Sequence, residues 1–301
     1  MVGLKTLIVF VNALAFTVAL PNIIDTLTAN NASTLVGLID QAGLTDTLKT
    51  KGPFTIFAPT NAAIAKVPAA DLQALGSDVD ALKNVLLYHV VNGEIFSWDL
   101  RTGERLKSLN NHTIRIYSSA GKHYFNQALA VVEEIQASNG VIYLIDEVLN
   151  VPEGTIWDIL NNPDYNLTQF ANVAQHARLD SLFKTISSTK RYTVFAPMNS
   201  AFESLPKQLL NTIASSTTYG RYVIDYHIHD GTLHAASLSK DGTVSTLHTG
   251  HTITLTHDAN TGEPLLNKLA HVVIQDIEAE NGVVHVISHV LIPSTLAGIV
   301  G

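Results

Sequence analysis

The sequence contains no cysteine. That absence removes thiol nucleophiles, cysteine-ligated metals, iron–sulfur clusters and disulfides. Each folded unit must therefore hold together through its own apolar core. Charge is also sparse, at 15% of residues, and acidic side chains outnumber basic ones to give a net charge of −8. No basic run or basic–aromatic stripe occurs, which argues against nucleic acid or an anionic membrane surface as a partner. The Gly-x-Ser-x-Gly elbow, the Gly-x-Gly-x-x-Gly turn and the P-loop are missing as well. Ser-x-x-Lys occurs at Ser181, Ser204 and Ser237 among other places, but without its companion motifs it marks no catalytic serine. The Asp78/Asp80 pair reads as solvated charge at a helix start. No cofactor is expected.

Residues 1–20 differ from the rest. Lys5 precedes a short apolar run with small residues near its end, the pattern of a secretory signal peptide. The run is shorter than the roughly 20 residues a membrane span needs. The last ten residues lack the polar spacer and long apolar tail of a GPI signal. The expectation is a secreted protein without a membrane anchor, released or retained in a cell wall or vacuole. Three Asn-x-Ser/Thr sequons, at Asn31, Asn111 and Asn166, are candidate glycosylation sites.

What the chain does contain is one pattern written twice. Phe54-Thr-Ile-Phe-Ala-Pro-Thr-Asn61 returns as Tyr192-Thr-Val-Phe-Ala-Pro-Met-Asn199. Aromatic and β-branched residues running into Ala-Pro describe a strand with a sharp stop, and the Asn is suited to cap the segment after it. Tyr88-His89 returns as Tyr226-His227 at the same offset, and such unchanged spacing marks an internal repeat. Leu72, Leu75, Val79, Leu82, Val85 and Leu86 recur at helical spacing ahead of the first pair. Ser200 and Glu203 have capping-box spacing. Residues 113–117 and 252–256 alternate apolar and polar, as half-buried strands do. Each copy closes with Asn-Gly between apolar runs, at Asn139-Gly140 and Asn281-Gly282, the signal of a tight hairpin.

This order of motifs resembles the fasciclin (FAS1) domain, present twice, and two cysteine-free domains without a Pro/Ser/Thr-rich stalk or GPI tail are similar to secreted fungal members. The resemblance implies an α+β fold in which each domain is a β-sandwich or wedge with helices packed around it. Boundaries are expected at 21–152 and 153–294, followed by a short tail at 295–301. It also implies extracellular adhesion or interaction rather than catalysis.

Several residues stand out as candidates. The Tyr-His pairs, Tyr88/His89 and Tyr226/His227, are linked to adhesion in the family. His89, however, falls on the apolar helical face with Leu82 and Leu86, where a core histidine bonded to backbone is the plain reading. Asp276-Ile277 matches in position an Asp-Ile adhesion motif of animal members, although its neighbours Gln275 and Glu278 do not match. Ten of the thirteen histidines follow Pro152. His227 and His229 would face one side of a strand and are metal-ligand candidates. His285 and His289 lie about 13 Å apart if the segment is a strand, too far for one ion.

Three functions are compatible with this sequence. The first is a non-catalytic interaction protein, an accessory member of an extracellular complex or a surface adhesion protein, with an extracellular protein or glycan as partner. The second is assistance to a secreted laccase or oxidase in coupling aromatic polyketide pigments. The third is a histidine-metal enzyme in the second domain.

Overall fold

The structure, a computed structural model, describes residues 19–119, 121–187, 189–258 and 261–299. The signal-peptide expectation lies, but for Ala19 and Leu20, outside the described residues. No described helix is long and apolar enough to cross a membrane.

The chain folds as two α+β domains of the same topology. In the first, helices α1 (Ile23–Ala29), α2 (Ser33–Gln41) and α3 (Thr45–Thr50) precede strand β1 (Phe54–Pro59). Helices α4 (Asn61–Ile64), α5 (Ala69–Ser77) and α6 (Val79–Tyr88) then lead to β2 (Val90–Asn92). Strands β3 (Arg105–Lys107), β4 (Thr113–Ser119), β5 (Lys122–Phe125), β6 (Ala128–Ala137) and β7 (Gly140–Ile145) complete the unit. The second domain repeats it. Helices α7 (Ile156–Asn161), α8 (Thr168–His176) and α9 (Asp180–Lys184) precede β8 (Tyr192–Pro197). Helices α10 (Asn199–Glu203), α11 (Lys207–Ser215) and α12 (Thr217–Tyr226) come next. Its remaining strands are β9 (Ile228–Asp230), β10 (Gly242–Ser245), β11 (Thr252–His257), β12 (Pro264–Leu266), β13 (Ala270–Ala279) and β14 (Gly282–Ile287).

Each domain has one seven-stranded sheet, ordered β2-β1-β7-β6-β5-β4-β3 in the first and β9-β8-β14-β13-β12-β11-β10 in the second. The first sheet curls until Val91 bridges Ser108, so the expected wedge is a sheet rolled almost into a barrel. β1 pairs in parallel with β7 and antiparallel with β2, with all six residues buried. That burial on both faces explains its continuous apolar sequence. Side-chain alternation divides the core in two. Ile56, Ala58, Ile142 and Leu144 pack under the helices, whereas Phe57, Val141, Tyr143 and Ile145 fill the rolled interior.

Four local expectations are corrected. The apolar series from Leu72 to Leu86 is two helices, broken where Asp78 leaves helical geometry and caps α6 by accepting from Ala81 N. The Ser200/Glu203 box does not form; Met198 is the N-cap of α10 and makes no side-chain bond. The repeated Asn61 and Asn199 cap an earlier helix, not their own. Their Oδ1 atoms accept from Thr34 N and Gln169 N at the starts of α2 and α8. The hairpin turns are Ser138-Asn139 and Glu280-Asn281, with each glycine already the first residue of its strand. Gly140 and Gly282 are required there because a Cβ would stand 2.1 Å from Phe54 O and 2.0 Å from Tyr192 O.

Candidate functional site

The Tyr-His pairs lie at the end of α6 and α12 and are buried in both domains. Tyr88 Oη donates to Thr113 O and accepts from Asn126 Nδ2; Tyr226 Oη does the same with Thr252 O and Asn267 Nδ2. His89 Nδ1 meets Val85 O at 2.8 Å, and Leu149 N–H reaches His89 Nε2 at 2.9 Å. A carbonyl can only accept and an amide N–H can only donate, so the ring is neutral with its proton on Nδ1. His227 is held identically by Val223 O and Leu291 N. Burial pushes both rings down to about 4 from the ordinary histidine range, against the smaller opposing effect of their backbone carbonyls. Neither nitrogen of His227 is left for a metal. His229 is turned away, its Nδ1 beside Ser245 O at 2.8 Å. Among the described residues no group of three or more potential ligands gathers.

Asp276 and Ile277 occupy a bulge in β13 and are both buried. Asp276 has φ +58°, and its Oδ1 accepts from Ala235 N at 2.9 Å, pinning a 3-10 turn. Glu134, with φ +60°, performs the same task for Ser97 in the first domain. His285 also has a counterpart. Its Nε2–H donates to Leu233 O where Tyr143 Oη donates to Ile95 O. Asp276 N–H donates to His285 Nδ1, and burial holds this imidazole neutral as well.

One histidine of the second domain, His234, acts where the two domains meet. Arg115 on β4 extends from the first domain to Glu278 on β13 of the second, with Nη1 2.5 Å from Oε2. Its Nη2 donates to Ala279 O at 2.6 Å and Gly282 O at 3.3 Å. His234 Nε2 meets the other oxygen of Glu278, and His112 meets Glu280 across the junction. Burial alone would raise the Glu278 carboxyl, but Arg115 and His234 hold it below the usual carboxylate range. The connecting segment is tied down by Glu153 N–H to Glu278 O and by Glu280 N–H to Gly154 O, at 3.0 and 2.7 Å. Asn150 Nδ2 adds a longer bond to Asp276 O.

These junction residues are departures from the repeat. Glu278 stands where the first copy has Gln136, His234 where it has Phe96, and Arg115 where the second copy has Thr254. Position-by-position comparison of the copies was the signal that could have located them.

A cleft of about 520 Å³ opens beside the junction, lined by Arg105, Arg115 and Tyr117 on one side and Arg191, Thr232 and Ser237 on the other. Burial lowers the Arg191 guanidinium to about 10, assisted by the charges of Arg105 and Arg115 and opposed by Glu280. The sequon residues Asn31, Asn111 and Asn166 are exposed, all with φ between +54° and +68°. Asn31 and Asn166 are equivalent, each offering its carbonyl to the Asn61 or Asn199 amide.

The fasciclin domain model matches residues 30–152 and 165–293. Transforming growth factor-beta-induced protein ig-h3 from Sus scrofa is 32% identical over 256 residues, covering 81% of this chain and 35% of that protein. Periostin from Homo sapiens is 30% identical over 272 residues, covering 88% of this chain and 31% of that protein. The chain thus spans about a third of the length of these relatives. Protein sll1483 from Synechocystis is 39% identical over 122 residues, covering 40% of this chain and 67% of that protein. The solved FAS1 domain pair from the insect cell adhesion molecule Fasciclin I aligns with 88% of this chain and 98% of that one, at TM-score 0.43 and 15% identity.

Proposed function

The chain belongs to the fasciclin family, with two of its domains in tandem, and we propose that it is a non-catalytic extracellular interaction protein of the adhesion type. The observation that carries the reading is an exposed apolar pair repeated in both domains. Val131 and Val132 on β6 are 48% and 44% exposed; Val273 and Ile274, at the same place on β13, are 50% and 38% exposed. Single exposed apolar residues are ordinary. The same pair presented twice by one docked unit supplies two equivalent footholds for an extracellular protein. Two weak contacts held at fixed separation give avidity well beyond either alone. The Tyr-His pairs support this reading from the other side, because their polar atoms are engaged within the scaffold. The exposed sequons at Asn31, Asn111 and Asn166 suit an extracellular location. Secretion from a glycosylating host should yield a mass that falls on endoglycosidase treatment.

The test is saturable retention of the secreted chain on cell-surface or matrix material. Val132→Glu and Ile274→Glu should each weaken retention, and together reduce it by about 100-fold or more, with the melting temperature little changed. Undiminished retention by the double variant would refute the role of these pairs. If attachment is unaffected when the protein is absent but a co-secreted laccase loses coupling activity, the partner is the oxidase and the role is accessory.

A further inference from the structure

The cleft beside the junction gathers three arginines, of which Arg115 also bridges the two domains through Glu278. Arg105 and Arg115 are direct partners across β3 and β4. Like charges placed opposite each other destabilise a strand pair. The second copy has Thr243 and Thr254 paired at this place, so the fold itself does not demand arginine. Arg191 enters from the other domain and makes three of the chain's six arginines converge, in a protein of net charge −8.

The acidic groups near the cleft have identified partners, and one of those partners is Arg115 itself. Glu278 faces Arg115 and His234, and Asp230 pairs with Lys190 at 2.5 Å. Arg115, only 6% exposed, and Arg191 each retain a buried Nε–H that no protein atom accepts. A guanidinium presents its donors in a planar fork that matches a carboxylate or sulfate; Arg115 commits both Nη atoms to Glu278, Ala279 O and Gly282 O and so offers its Nε–H alone. The rest of the wall is hydroxyl-bearing. Thr232 and Ser237 line one side, and Tyr117, 40% exposed, offers a ring face. The volume lies in the range of small-molecule sites.

We propose that this cleft binds an acidic saccharide, its carboxylate or sulfate held among Arg105, Arg115 and Arg191 and its ring hydroxyls met by Thr232 and Ser237. The site is independent of the exposed apolar pairs. Uronates and sulfated sugars share the required oxyanion, and the experiment separates them.

Calorimetric titration of the full chain at low salt, with trigalacturonate, a sulfated glycosaminoglycan disaccharide, cellotriose and inorganic sulfate, provides the test. One of the two acidic saccharides should bind with one-to-one stoichiometry, and the tighter identifies the anion. Its affinity should fall about tenfold or more in Arg191→Gln and in Arg105→Gln. Arg105 is exposed, so the second variant reports on binding without disturbing the core. Cellotriose should give no heat. Absence of binding by both acidic saccharides, equal binding of cellotriose, or unchanged affinity in both variants would overturn the proposal. Inorganic sulfate binding as tightly as the saccharide would overturn the saccharide assignment.

Discussion

Arg115 and Glu278 form a salt bridge 2.5 Å long between the two domains, with side chains 7% and 0% exposed. Neither charge can be removed without leaving the other in a low-dielectric junction. Glu278→Gln should therefore cost about 3–5 kcal/mol in urea unfolding, and Arg115→Met a similar amount. The double variant Arg115→Met/Glu278→Met should recover much of that loss, because two apolar groups need no desolvation of charge. A single-variant loss below about 1 kcal/mol would contradict the burial of this pair.

Acid should destabilise the protein through His89 and His227. Both are neutral in the fold, with folded values near 4 against an ordinary 6.5. The unfolded chain binds their protons first as pH falls. Stability is then fully present above about 6.5, is lost as pH falls toward 4, and levels off for these groups below that. Each ring contributes on the order of 3 kcal/mol across the window. Melting temperature measured from pH 7 to pH 4 should decline throughout; a flat profile would count against neutral burial.

The Tyr88 hydroxyl joins α6 to the strand ladder. Tyr88→Phe should leave Asn126 Nδ2 and Thr113 O without this partner and cost about 1–3 kcal/mol. Matrix retention, corrected for folded fraction, should be unchanged. A variant that melts normally but no longer binds would assign the tyrosine to the partner surface instead.

Gly140→Ala and Gly282→Ala should each force apart the parallel strand pair beside them, because the obstructing atoms are backbone carbonyls. Severe loss of soluble, cooperatively melting protein is expected from either. Gly37→Ala is the control. It lies inside α2 with nothing within 4 Å of the new methyl, and should gain up to about 1 kcal/mol from helix propensity. Equal behaviour of all three variants in thermal melts would contradict this steric requirement.

Much of the fold was legible in the sequence because its causes are local. The Phe-Thr-Ile-Phe-Ala-Pro run is apolar at nearly every position since β1 is covered on both faces. Repetition at a near-constant offset identifies two copies without any coordinates. The core position of His89 also comes from helical spacing, since i, i+3 and i+7 share a face whatever surrounds them.

The remainder depended on distance in space. Asn61 and Asn199 cap helices that begin about thirty residues earlier, a relation no local rule contains. In sequence His227 is a metal-ligand candidate beside His229, but its ring nitrogens meet Val223 O and the N–H of Leu291, which lies 64 residues away. Glu278 appeared in sequence only as a mismatch to an adhesion motif. Its meaning comes from Arg115, 163 residues away, because a buried charge is tolerated only where an opposite one is brought to it. Periodicity and repetition determined what each domain is; the tertiary structure decided how two domains became one surface, since desolvation and charge pairing act between residues that the sequence keeps apart.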